Sequence, residues 1–542
     1  MTGVYSNAVR RRTRAGMAMW CCALLLAPIT QAGQENASRS FEKTLTLGVN
    51  QTLSLESKFG QVTIHGENGR EARITATIRA QAGSQGEAEK NVDEIKIEVS
   101  QDAGGIKVKT VYPEDHVILR IHKGSSYSVD YDIAVPTDAK LWVRTGFGNL
   151  EVRGVQGWAD IENKNGQLVS RDSGSTKLVN SFGPVEARGA TGNVTIVNNN
   201  GPVEVSSVKG ALDVQDRFAA ITASSIDGQV TITGGNGAVE LTNAGAATVS
   251  NSFGSITARN IHGSLTAKNN NGSIEVEGVQ GRATLNGSFG EISFKDVSGY
   301  AEITSANGKV RGGPTGDEVY IKTSFGEVSL EQIGGAVTVE DSNGSITAKE
   351  IKGKANFTTS FGSIDASVLR KGVKATTGNG QITLTDVGGD AAVKTSFGSI
   401  NVQRVNGNLK LENSNGAVVV NSVNGEATAK NSFGSVTMDD VAGAITVTNQ
   451  NGAVMVSEAR TSTGCKGVTA KTSFAPIQVR IAESSGYTVN ARTSFGRISS
   501  ELPLTTSGQM GGDSLNGKIG NGGCPLSLTN SNGNIEILKL GK

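Results

Sequence analysis

With 51 Lys and Arg against 50 Asp and Glu, this 542-residue chain has no charge excess that would make a basic face for nucleic acid. Its 71 glycines argue against a mainly helical fold, and only nine prolines together with a sustained periodicity argue against disorder. The length is too great for one compact domain.

Residues 1–32 read as a secretory signal. Arg10, Arg11, Arg12 and Arg14 precede an apolar run from Ala15 to Ile29, and Thr30-Gln31-Ala32 supplies small-residue cleavage chemistry. An uncleaved membrane anchor is the alternative. Cys21 and Cys22 lie within the run and leave with it. Cleavage removes those four arginines and no acid, so the mature chain is close to neutral. It retains no second hydrophobic span, and no integral membrane segment is expected.

Residues 33–69 hold the first strand-like alternation, with Leu45, Leu47, Leu53 and Leu55, then Phe59-Gly60 and, nine residues later, Asn68-Gly69. Across residues 70–140 the pattern breaks. Strand-like runs such as Arg73 to Arg79 and Tyr127 to Val135 surround a stretch, Gln85 to Glu94, that suits one or two helical turns. This segment is expected to be an N-terminal cap or side domain, because an open solenoid end exposes unpaired backbone and apolar core.

Residues 141–456 form a regular array. Glycines at 254, 263, 272, 281, 290, 299 and 308 recur every nine residues, and apolar residues follow two and four positions on, as in Ile256 and Ala258 or Ile274 and Val276. That is the period of a strand with one buried face. Phe147, Phe182, Phe218, Phe253, Phe289, Phe325, Phe361, Phe397 and Phe433 are 35 or 36 apart, and an Asn-Gly such as Asn271-Gly272 falls midway between each pair. The intervening corners carry Val or Ile, as at Ile261, Val279 and Val297. The pattern predicts an all-β fold, a long parallel β-solenoid. Two nine-residue arms per 18-residue turn are the simplest geometry, giving about 17 turns and a rod near 80 Å from Phe147 to Asn451. A four-armed turn of 36 residues is the rival. Gly or Asn at the corners is expected to supply positive φ, and rings as regular as these phenylalanines are expected to pack inside.

Residues 457–542 lose the regularity and are expected to be irregular turns and a second cap. Cys465 and Cys524 are 59 residues apart, about three turns or 14 Å along the axis, which is beyond the roughly 7 Å a disulfide spans unless this end folds back.

Tyr131-Asp132-Ile133-Ala134-Val135-Pro136, followed by Leu141-Trp142-Val143-Arg144-Thr145-Gly146-Phe147-Gly148, resembles the opening motif of a family of bacterial secreted proteins described as adhesins. Gly517 to Gly523 and Leu526 to Ile537 are similar to that family's final turn. The resemblance implies a β-solenoid of unknown function and carries over no catalytic residues, metal or cofactor.

Individual motifs point to little chemistry. Gly512-Asp513-Ser514-Leu515 spells an esterase nucleophile block, yet no histidine follows His262. His65, His116, His122 and His262 lack metal-ligand spacing. Gly234-Gly235-Asn236-Gly237-Ala238-Val239 approaches a calcium-binding Gly-Gly-x-Gly-x-Asp turn but has no Asp. Outward Ser and Thr such as Ser255 and Thr257 are interrupted by Glu275 and Lys410, which spoils an ice-binding face. The resulting expectation is a non-enzymatic, exported, adhesin-like or envelope scaffold protein with an envelope, glycan or protein partner, no cofactor and scope for end-to-end self-association. A carbohydrate-active or glycan-binding β-helix is the alternative, its chemistry confined to residues 70–140 and 457–523.

Overall fold

The computed structural model describes residues 35–113, 126–458, 466–506 and 512–541. Strands stack in parallel in two facing sheets, each aligned with the strand one turn on. Ile256 lies opposite Ile274 and Ile274 opposite Ile292 in one sheet, while Leu265, Ala283 and Ala301 follow one another in the other. The 18-residue turn is therefore the repeat, and the 36-residue period is a pattern laid over it. Ile256, Ala258, Ile261, Leu265 and Ala267 all point inward and are buried, so a turn contributes a thin slice of small aliphatic core. Such a slice cannot stand alone, and stacking supplies what each turn lacks.

Inserted residues at the N-terminal end separate neighbouring turns in sequence. Thr52–Phe59 and Val62–Glu67 stack directly on Lys140–Phe147 and Leu150–Arg153, with Phe59 opposite Phe147. Between them, Glu71–Ala82 runs antiparallel to both Ser126–Pro136 and Glu35–Thr46, which places Glu35–Thr46 outside the parallel stack. Lys96–Asp102 and Gly105–Val111 form a hairpin that extends the second sheet. Gln85–Glu94 is a helix whose first turn receives the Ser84 hydroxyl as a cap and which buries Ala88 and Val92.

Chain order is broken at the other end. Val468–Lys471 pairs with Cys524–Thr529, which in turn pairs with Tyr487–Arg492. Likewise Ile477–Ile481 pairs with Ile535–Lys539, and that strand with Ile498–Ser500. The last turn of the chain thus slots between two earlier ones. Ser514–Ile519 then runs antiparallel across the end, between Tyr487–Arg492 on one side and Leu504–Thr506 on the other. This insertion overturns the axial argument against a disulfide, which assumed that turns stack in chain order. Register places Cys524 beside position 466, and Cys524 is disulfide-bonded. Cys465 lies outside the described residues.

The two corners of a turn are built differently. At the aliphatic corner one residue per turn adopts positive φ just before the inward side chain, as in Asn260 before Ile261, Asp386 before Val387 and Val368 before Leu369. At the Phe-Gly and Asn-Gly corner, positive φ holds for Gly148, Gly166, Gly183 and Gly201 but not for the glycines from Gly237 to Gly452. There the requirement is close approach. A Cβ on Gly362 would collide with the carbonyl oxygen of Gly344 one turn below. The expectation of a positive φ at every such corner is corrected accordingly.

Gly362→Ala is expected to cost about 1–3 kcal/mol in denaturant unfolding, since backbone must move to admit the methyl group. Val368 is a β-branched residue at a φ of 56°. Val368→Asn is expected to stabilise by about 1 kcal/mol in the same measurement, because Asn tolerates that region.

Candidate interaction surface

The strand Ala247–Asn251 alternates inward and outward, leaving Asn251 buried. Continued, that parity would carry Phe253 inward as well. The strand instead ends at Asn251 and the chain bends through Ser252, Phe253 and Gly254, turning the ring outward. Phe147, Phe182, Phe218, Phe253, Phe289, Phe325, Phe361, Phe397, Phe433, Phe474 and Phe495 are all exposed, by 52% to 82%. The expectation that this column packs inside is wrong, and the interior shows why. Phe294 does lie inside, but only over Gly312, where a Cβ would strike its ring. Phe357 is buried between Val339 and Ala375. A core this thin takes an aromatic ring only where a small residue lies in an adjoining turn.

A second column fills the interior behind the rings. Two positions before each Phe or Asn, except at Gly234 and Gly287, stands a buried Asn, Thr, Ser or Asp: Asn180, Asn251, Asn269, Thr359, Thr395 and Asn431 are examples. Asn431 donates through Nδ2 to the carbonyl of Gly434 on its own turn at 2.7 Å and to that of Gly416 on the turn below at 3.1 Å. Asn413 does the same with Gly416 and Gly398. Thr359 donates to Gly344 and accepts from the backbone N–H of Gly362. These contacts satisfy backbone groups that a tight bend leaves without ladder partners. Their signal was in the sequence, as a polar residue recurring at one position of every 18.

Asp216 and Asp341 occupy the same inner column as carboxylates. Burial pushes both above the ordinary carboxylate range, against backbone N–H groups that favour the charged form: Phe218 and Ala219 for Asp216, Ser342 and Asn343 for Asp341.

Between exposed rings, the asparagines of the outer column fold back onto the turn below. Asn271, Asn343 and Asn415 donate through Nδ2 to the carbonyls of Ser252, Ser324 and Ser396 at 3.0–3.1 Å. The edge therefore alternates a protruding ring with a low polar step. One ring recurs every two turns, about 9.6 Å. The alternation survives the break in chain order. Asn532 donates to the carbonyl of Ser473, and the N–H of Phe495 donates to Ser531. The spatial order is hence Asn451, Phe474, Asn532, Phe495, although Asn532 comes last in the chain. At the N-terminal end the column closes on Phe59, stacked 5.5 Å from Phe147 and flanked edge-on by Tyr112 and Tyr127.

The residues singled out for chemistry are dispersed. Ser514 begins a cap strand, and the Asp513 carbonyl accepts from the Thr493 N–H. His65 contacts Glu67 and Asp132 at 3.1 and 3.3 Å, and His262 lies 3.3 Å from Gln280. His116 and His122 lie outside the described residues. Near Gly234, a Cβ would meet the Asn251 side chain. Among the described residues no group of three His, Cys, Asp or Glu side chains is placed to hold a metal ion, and no helix is long and apolar enough to cross a membrane. Charged side chains on the sheet faces pair along the stack, as Lys309 with Glu327 and Lys394 with Glu412 do at 3.2 and 3.3 Å. Such exposed pairs contribute little each.

The family Toastrack DUF4097 matches residues 313–538, which is under half of the chain. A search of curated proteins found no match. Among solved structures, a candidate cell adhesion protein from Clostridium sporogenes aligns at 11% identity over 54% of this chain and 99% of its own. Its TM-score of 0.16 is too low to argue from.

Asp341→Asn is expected to stabilise the protein at pH 7, replacing a buried carboxylate with the donor used at Asn413 and Asn431. A raised carboxylate pKa means that the native protein is relieved of this penalty below the ordinary carboxylate range and incurs it as pH rises through the raised value. The advantage of the variant should therefore shrink on acidification, which unfolding curves at a series of pH values will show.

Proposed function

We propose that this chain is an exported, non-enzymatic solenoid rod, adhesin-like or an envelope scaffold, with the phenylalanine column as its docking edge. The observation that carries this reading is the concentration of exposed apolar side chains in one line. Among the described residues, only Val49, Trp158 and Val419 of the exposed large hydrophobic side chains lie off that column. Exposed rings lined up along one edge, rather than scattered singly over the surface, mark an interaction site. The inner Asn and Thr column supports the same reading, since it fixes the bends that hold the rings out. Export is supported by the leader-like residues 1–32 and by the disulfide at Cys524, a bond favoured in oxidising compartments.

One observation favours a second reading, a glycan-binding or carbohydrate-active protein. Trp142 and the exposed Trp158 line a shallow trough with Glu56, Glu98, Lys107 and Lys109 at the N-terminal end. Aromatic faces beside acids suit sugar rings.

Both readings are tested by applying the labelled chain to whole cells and a glycan array while assaying soluble sugar in the same wells. The display-rod reading expects saturable binding without sugar release. It also expects at least tenfold weaker binding by the variant Phe289→Ser/Phe325→Ser/Phe361→Ser/Phe397→Ser at unchanged thermal stability. Sugar release, or binding indifferent to that variant, would contradict it.

A further inference from the structure

Resting on the reading of the phenylalanine column as a docking edge, we infer that its partner is a second copy of this chain, packed antiparallel with rings of one copy seated over the asparagine steps of the other. Three observations carry this.

The first is area. Eleven rings exposed by 52% to 82% present about 1,200 Å² of apolar surface, taking roughly 150–250 Å² for a whole ring. A stable interface needs about 800 Å² per partner.

The second is shape. Rings and steps alternate at equal spacing because Asn271, Asn343 and Asn415 are tied down to serine carbonyls. A row of equal knobs and gaps is complementary to itself after a shift of one turn. With the two rods antiparallel, that contact obeys a two-fold axis and closes on a dimer. The inserted turn at the C-terminal end keeps Phe474, Asn532 and Phe495 in the pattern, so the row runs unbroken for 20 turn intervals, about 95 Å.

The third is commensurability. A partner with a different repeat drifts out of step over that distance. A polyproline helix repeats about every 9.3 Å against about 9.6 Å for two turns, and would slip by about 3 Å in ten repeats. A second copy has the same period by identity. Charge opposes it little, since along the row from Phe147 to Phe495 the residue preceding each ring or step is uncharged except Lys164 and Arg217.

Sedimentation equilibrium of the exported chain over a concentration series tests this, run alongside the cell and glycan binding assay. A monomer–dimer equilibrium is expected for the native chain. Phe289→Ser/Phe325→Ser/Phe361→Ser/Phe397→Ser should weaken it at least tenfold. Asn307→Phe/Asn343→Phe/Asn415→Phe should weaken it too, since added rings fill the gaps although they enlarge the apolar surface. Tighter association of the asparagine variant would overturn the inference in favour of unspecific adhesion, and a dimer unaffected by either variant would place the contact elsewhere. A native monomer whose envelope or glycan binding depends on the phenylalanines would overturn the second-copy inference alone. A native monomer whose binding ignores them would overturn the docking edge as well.

Discussion

The bend at the Phe-Gly and Asn-Gly corner is the constraint on which this structure depends. Stacked turns approach so closely there that glycine carbonyls of one turn lie where a Cβ of the next would sit, as between Gly344 and Gly362. Those carbonyls are claimed from inside by Asn and Thr side chains, each bridging its own turn and the one below. The stitch ties each such corner to the one below it. It also decides what faces water, because the chain must bend immediately after the inward polar residue. The exposed ring is a consequence of that bend.

The same stitch explains how the molecule departs from chain order without losing its pattern. Asn530 donates to the carbonyl of Ala475, a residue 55 positions earlier, just as Asn431 donates to Gly416 within the regular array. Geometry of the corner, rather than adjacency in the chain, sets the alternation of ring and step. At the opposite end, the aromatic group of Phe59, Tyr112 and Tyr127 closes the column where the inserted antiparallel strands depart. There the buried hydroxyls of Thr110 and Tyr131 bond each other, and burial raises the Tyr131 phenol above its usual range.

Much of the architecture was legible in the sequence, because period 2 within arms and period 9 between glycines are direct records of inward-facing positions and bends. Ile256, Ala258 and Leu265 lie inside as their spacing predicts. The direction of the phenylalanines was not legible. Strand parity counted from Asn251 points Phe253 inward, and only the bend reverses it. Nor did tandem spacing reveal that the last turn is inserted between two earlier ones, which is why the separation of Cys465 and Cys524 misled. Hydrophobicity alone favours burial of a ring, but within the regular array Phe294 and Phe357 lie inside beside Gly312 and Ala375, which leave room for them. The candidate interaction surface thus came from the clash between residue size and core width, a quantity that periodicity does not report.

Hydroxyl-radical footprinting across a dilution series, read residue by residue by mass spectrometry, tests the outward phenylalanine edge most directly. The account predicts rapid oxidation of Phe253, Phe289, Phe361 and Phe397 in dilute protein and protection of the same rings as concentration rises, with Phe294 and Phe357 slow throughout. Rings of the column as unreactive as Phe294 at the lowest concentration would contradict it.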